Sequence, residues 1–258
     1  MSTLVVIPAR LSAVRLPQKP LRLLAGLPLI VRVWERVSRM KVADRCVVAT
    51  DDLAVAHAAE DAGAECVMTR MTHRSGTERV AEVASKEEFR DYDTIVNVQG
   101  DEPFIAESAV SGAAQVVASG RFPLGTAAIP APRHASIEPS VVKVVVADDG
   151  RAMYFSRSLI PHRRELTQDG GQPDIATDDV VLQHVGVYAY SRPALTQWVA
   201  LPEHRLERVE RLEQLRALAA GIPIGVAVVD EPLAAGIDTE EDLSRANARW
   251  DSFIAGRD

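Results

Sequence analysis

A chain of 258 residues, 47% hydrophobic and 25% charged, suffices for one elaborated α/β domain or two small ones and has an ordinary globular composition. The net charge of −7, with no long basic tract, argues against a nucleic-acid polymer as partner. No apolar run approaches the ~18 residues that cross a bilayer, and the chain opens on a strand pattern rather than a signal peptide, so no membrane insertion and a cytoplasmic location are expected.

In chain order, apolar strand-like runs at Leu4 to Ile7, Arg45 to Ala49, Ala64 to Met68 and Thr94 to Val98 alternate with helical patterns. The helices are expected at about Leu29 to Met40, Asp52 to Ala62, Thr77 to Glu88 and Ser108 to Ser119. That alternation predicts right-handed βαβ units and a mostly parallel sheet. The second half predicts strands at Gly125 to Ile129, Val141 to Ala147, Ala152 to Phe155 and Val181 to Tyr190 without full helices between some of them. This is a smaller, mixed α+β elaboration with an Asp149-Gly150 hairpin turn. Pro161 to Asp179 reads as a long polar loop, either a lid or a surface excursion. Helices resume at about Arg205 to Ala220 and Thr239 to Asp251. Cys46 and Cys66 sit in apolar strand runs with no metal spacing and read as reduced, buried thiols.

The first strand runs into a loop carrying Arg10, Arg15 and Lys19 among three prolines, at the sheet edge where open α/β folds bind ligands. Arg offers a fork of donors and Lys a point charge, so this loop suggests a polyphosphate site. It matches neither the P-loop nor the G-x-G-x-x-G fingerprint, and the missing glycine pattern counts against a nicotinamide-dependent oxidoreductase. Asp101, after Gly100 at the end of the fourth strand, and Asp238, before the last helix, can each be a metal carboxylate or a turn or cap residue. Two such carboxylates suit Mg²⁺ only if the fold brings them together. Ser75 and Thr77 read either as helix caps or as groups recognising a base or ribose. Glu207, Glu210 and Gln214 fall on one face of the expected helix, which reads as a solvated charged face or a site. His184 and Tyr188 share one face of a strand.

Taken together, IPAR with RLPQKPL, ATDD, MTHRSGTERVAEV, IVNVQGDEP, VVKVV, MYFSRSLIP, HVGVYAY, LERVERLEQLR and AGIDTEEDL resemble the CMP-KDO synthetase family, the 3-deoxy-manno-octulosonate cytidylyltransferases. The resemblance runs from Val5 to about Leu243. It implies a single nucleotidyltransferase domain over 1–258 with a Rossmann-like core: a nucleotide-binding half at 1–120, a sugar-binding and dimerisation elaboration at 121–235, and a returning metal loop and helix at 236–258. It implies CTP and KDO as substrates, Mg²⁺ as cofactor, a homodimer, and a product that feeds lipopolysaccharide assembly. In its terms Arg10 and Lys19, with Arg15 assisting, bind the triphosphate. Lys19, Arg10 and Asp101 are catalytic, and Asp101 and Asp238 hold the metal. Ser75, Gly76, Thr77 and Gln99 line the nucleotide pocket. Gln99, Arg157, His184, Tyr188, Glu210 and Gln214 line the sugar site, with Arg157 a candidate for the sugar's carboxylate.

Three positions depart from the family pattern. Val14 stands where a Ser or Thr is usual, Gln18 where Gly is common, and Ala189 where Gly is common. These departures leave open a KDO analogue such as the 8-amino sugar, or another acidic sugar such as a sialic acid. A non-catalytic nucleotide-sugar binding protein is the remaining alternative.

Overall fold

The computed structural model describes residues 2–12, 15–131, 137–162, 181–231 and 236–255. Its first half comprises β1 (Thr3–Ala9), β2 (Leu23–Leu24), β3 (Leu27–Pro28), α1 (Leu29–Val37), β4 (Arg45–Thr50), α2 (Leu53–Glu60), β5 (Glu65–Met68), α3 (Gly76–Ser85), β6 (Thr94–Asn97) and α4 (Glu107–Ala118). The second half comprises β7 (Leu124–Pro130), β8 (Lys143–Val146), β9 (Ala152–Ser156), β10 (Leu182–Ser191), α5 (Arg192–Ala200), α6 (Arg205–Glu210), α7 (Gln214–Ala219), β11 (Ile224–Val228) and α8 (Glu240–Ala255).

The main sheet runs β11-β7-β10-β6-β1-β4-β5, with β8 pairing β10 and β9. The β6-β1-β4-β5 block and the β7-β11 pair are parallel, and β10 lies antiparallel between β6 and β7. This is the mostly parallel core with a mixed elaboration that the sequence predicts. Every residue of β1 is buried, as a strand covered on both faces requires. Two apolar layers result. One packs α1, α2, α4 and α8 on one face of the sheet, and the other packs α3, α5 and α7 on the opposite face.

Local chemistry fixes the element starts. The Asp52 carboxylate accepts from the amides of Ala54 (2.9 Å) and Val55 (3.2 Å), and the Ser75 hydroxyl accepts from the Glu78 amide (3.3 Å). The expected hairpin forms, with Gly150 in the left-handed region at φ 86°. At Gly125 on β7, a Cβ would overlap the Ala113 carbonyl oxygen of α4. Backbone cannot swing aside as a side chain can. Gly125→Ala is therefore expected to cost about 3 kcal/mol, a fall in Tm of roughly 6–12 °C by thermal melting. An unchanged Tm would show that α4 is not seated on β7 in this way.

The single helix expected over Arg205 to Ala220 is corrected: it is two helices, α6 and α7. Arg211 takes a left-handed conformation (φ 54°, ψ 48°) and closes α6, and the Arg216 guanidinium reaches back to Glu207 with contacts of 2.6 and 2.8 Å. Glu207, Glu210 and Gln214 consequently share no helix face. Pro161 and His162 are described; most of the expected long loop, with Val14, lies outside the described residues. Burial pushes the Cys66 thiol up to about 11, and the Cys46 thiol up to about 12, so both stay protonated at neutral pH.

Candidate active site

Parallel strands β1 and β6 end side by side, and the segments leaving them form the floor of a cavity of about 520 Å³. Close approach is built in, because a Cβ on Gly100 would lie 2.9 Å from the Pro8 carbonyl oxygen and one on Gly76 would lie 3.2 Å from the Pro8 ring. Arg10, Arg15 and Lys19 enter the cavity from the first loop. Ser75 and Gly76 come from the start of α3, Gln99 and Asp101 from the end of β6, and Asp238 from the segment before α8.

The last of these segments is held by backbone. The Ile237 amide donates to the Asp101 carbonyl (2.9 Å), and the Asp242 carboxylate accepts from the amides of Asp238 (3.1 Å) and Thr239 (2.9 Å). Asp101 and Asp238, 137 positions apart in the chain, thus meet at one ammonium group. Lys19 Nζ lies 2.5 Å from Asp101 Oδ2 and 2.8 Å from Asp238 Oδ1, and Arg15 donates to the other oxygen of Asp238 at 2.9 Å. Burial disfavours the Lys19 charge, but the two aspartates more than offset this and hold its pKa above the usual lysine value. Burial, reinforced by Asp101 and Asp238, pushes the neighbouring Glu102 carboxyl up to about 8. Arg10 is exposed and has no hydrogen bond or ion pair among the described residues. Gln18 occupies the left-handed region (φ 55°, ψ 32°) that glycine adopts freely, at a cost of about 1 kcal/mol.

Reading the sequence alone missed two groups, one in the cavity wall and one that holds the start of α3. Arg79 is buried, pairs with Asp51 at 3.0 Å, donates to the Thr69 hydroxyl and lines the cavity. Glu213 accepts from the hydroxyls of Ser75 and Thr77, each at 2.9 Å, and its own burial raises its pKa. The Thr77 hydroxyl is therefore committed to Glu213 and not turned toward the cavity. The i to i+3 spacing of Ser75 and Glu78 in SGTER gives the cap, but no local signal points to a partner 136 residues away.

Of the expected sugar residues Gln99 lines the cavity, whereas Arg157, His184, Tyr188, Glu210 and Gln214 are not among its lining residues. Glu210 accepts from the Ser156 hydroxyl (2.7 Å) and the Arg157 amide (2.9 Å), and the Arg157 Nε donates to the Glu210 carbonyl (2.8 Å). Arg157 also donates to the Pro139 carbonyl (3.1 Å), so its guanidinium is tied to backbone. Gln99 donates to the Asn97 side chain (3.4 Å), and Gln214 is buried. The Tyr188 hydroxyl is buried with no hydrogen-bond partner among the described residues.

His184 stacks edge-on against Phe155 and shares a 2.9 Å hydrogen bond with Thr126. The single Thr126 hydroxyl proton goes to the Val187 carbonyl (2.7 Å), so the His184 Nε2–H is the donor. Burial pulls the His184 pKa down from 6.5 to about 3. The unfolded chain takes up this proton near pH 6.5 and the folded one only near 3. The stability it contributes is therefore complete above pH 6.5 and is lost as pH falls, by about 2 kcal/mol at pH 5. Urea unfolding of His184→Gln should show a shallower decline between pH 7 and 5 than the parent; identical slopes would mean that another group causes the loss.

A profile of the cytidylyltransferase family matches residues 4–224. A 3-deoxy-manno-octulosonate cytidylyltransferase of Gemmatimonas aurantiaca is 55% identical over 255 residues, covering 99% of this chain and 96% of that protein. Among solved structures, a CMP:2-keto-3-deoxy-manno-octonic acid synthetase complexed with CTP superposes with a TM-score of 0.87 at 37% identity, covering 98% of this chain and 99% of that one. A 4-diphosphocytidyl-2C-methyl-D-erythritol synthase from Anaerococcus prevotii superposes with a TM-score of 0.60 at 16% identity over 97% and 96% of the two chains, a likeness of fold alone.

Proposed function

We infer the reaction from kinship and site together: this chain belongs to the 3-deoxy-manno-octulosonate cytidylyltransferases, and it couples CTP to that eight-carbon acid sugar, giving the CMP-sugar and pyrophosphate. The observation that carries the reading is the meeting of Lys19, Asp101 and Asp238 in the cavity beyond β1 and β6, which Arg10 also lines. A cavity with three arginine and lysine side chains at one pole suits a triphosphate, and its other wall has room for a base.

The sugar's anomeric hydroxyl attacks the α-phosphorus in line, and pyrophosphate leaves. Such a transfer needs orientation and charge neutralisation, not a covalent nucleophile. Arg10 and Lys19 offset charge on the phosphate oxygens, and Arg15 supports them. Gly100, without a side chain, lets the segments leaving β1 and β6 pack closely enough to form the cavity floor on which these groups converge. Asp101 and Asp238 fit Mg²⁺, which commonly takes one or two carboxylates along with waters and phosphate oxygens, since both already reach a single cation. Bound there, the ion would polarise the α-phosphate and lower the pKa of the attacking hydroxyl.

A homodimer in the cytoplasm, supplying lipopolysaccharide assembly, belongs to the same proposal and rests on the resemblance. Sedimentation and cell fractionation would test it. The activity is tested by pyrophosphate release from CTP with KDO, its 8-amino analogue and N-acetylneuraminate offered in parallel. Release with KDO above the other two is expected. Preference for another sugar would reassign the substrate, and release with none would leave a nucleotide-sugar binder.

A further inference from the structure

Lys19 stands where a divalent ion would stand. Its Nζ lies between Asp101 Oδ2 and Asp238 Oδ1, at 2.5 and 2.8 Å, and among the described residues no backbone carbonyl holds it. We propose that Lys19 is an exchangeable counter-ion of Asp101 and Asp238, which keeps the divalent ion from binding tightly until a triphosphate arrives to receive the ammonium. The proposal rests on the function inferred above and adds an order to it.

The geometry separates what is fixed from what can move. The backbone at Lys19 is pinned: the Leu21 amide donates to the Gln18 carbonyl (2.9 Å), the Arg22 amide donates to the Lys19 carbonyl (3.2 Å), and Pro20 is buried. Among the described residues the ammonium hydrogen-bonds only to the two carboxylates, and its four-carbon stem lets it turn without moving the loop. Asp238 keeps its second oxygen on Arg15, and Ile237 keeps its amide on the Asp101 carbonyl, so the carboxylates stay together when Lys19 leaves.

An ammonium and a dication cannot share two carboxylates at these distances, because like charges so close repel strongly. A triphosphate removes the conflict by offering the ammonium phosphate oxygens in the cavity that Arg10 also lines. Metal and nucleotide then bind with positive coupling, each tightening the other by the same factor, and Lys19 sets that factor.

The test measures binding of Mn²⁺ alone to the full-length protein by electron paramagnetic resonance, with and without CTP, for the parent, Lys19→Met and, in case that variant folds poorly, Lys19→Gln. Circular dichroism checks the fold of each. Without CTP, the Lys19 variants should bind Mn²⁺ at least about tenfold more tightly than the parent, within the usual range of coupling. CTP should tighten Mn²⁺ in the parent by a larger factor than in the variants. Adding Asp101→Asn to Lys19→Met should abolish the gain, which places the ion on the carboxylates. Equal or weaker Mn²⁺ binding in folded Lys19 variants overturns the proposal, as does a gain that survives Asp101→Asn. Because the readout is metal binding and not product formation, it stands or falls separately from the choice of sugar: a parent enzyme inactive on every acidic sugar would remove the proposed function and leave this exchange measurable.

Discussion

Asp101→Asn is expected to lower turnover by about a hundredfold or more at saturating CTP and sugar, the usual scale for one preorganised electrostatic contact. The argument is geometric. Asp101 sits at the end of β6 with its carboxylate 2.5 Å from Lys19 Nζ, and its carbonyl receives the Ile237 amide that delivers Asp238 to the same place. Asparagine keeps the size, and its backbone keeps the Ile237 contact, so the second carboxylate stays where it is. What disappears is one negative charge, and with it half of the acidic pair that would hold a divalent ion and half of the restraint on Lys19. Steady-state kinetics should show the loss in kcat, with the sugar KM changed far less, since no sugar contact is assigned to Asp101. Asp238→Asn should show the same pattern. Near-normal turnover of Asp101→Asn at saturating Mg²⁺ would remove the two carboxylates from the chemistry.

Arg79→Leu should destabilise the fold by about 3 kcal/mol, the lower end for removing one partner of a buried ion pair. The Arg79 side chain is 4% exposed and that of Asp51 17%, and the guanidinium ties the end of β4 to α3 through Asp51 and Thr69. Leucine leaves the Asp51 carboxylate desolvated without its cation. Much of the loss is that stranded charge, so Asp51→Leu in the Arg79→Leu background should recover part of it. Urea unfolding of the two single variants and the double variant measures the coupling. Effects that simply add would mean that Asp51 and Arg79 act independently. Because Arg79 also lines the cavity, the CTP KM of folded Arg79→Leu should rise while Asp101 and Lys19 remain in place.

The parallel half of the fold is legible in the chain because β1, β4 and β6 are short runs of mostly buried β-branched and small apolar residues alternating with helical patterns. Of Asp51 and Asp52, either of which could cap the helix after the second strand, Asp52 caps α2, and of the cap formers Ser75 and Thr77 it is Ser75 that caps α3. The basic loop with Arg10, Arg15 and Lys19 is equally legible, since cations among prolines at a strand end have few structural uses. The α5 helix went unread, although Ser191 followed by Arg192 and Pro193 is a cap with proline in the first turn. The break at Arg211 is hidden for a better reason. Helix periodicity continues through it, and what turns the chain is the inward pull of Leu212 into the core and of Glu213 onto Ser75 and Thr77. Arg157 illustrates the same limit: an arginine suited to a carboxylate is bound instead to the carbonyls of Pro139 and Glu210, partners distant in sequence. Long-range contacts of this kind leave no period or spacing to read.

Anomalous diffraction from Mn²⁺ in crystals grown with CTP tests most directly the convergence of these groups on one metal–triphosphate complex. A peak within bonding distance of both Asp101 and Asp238, touching phosphate oxygens with Lys19 turned onto the triphosphate, is the predicted result. A nucleotide bound in the cavity with manganese elsewhere, or with its triphosphate directed away from Lys19 and Arg10, would contradict it.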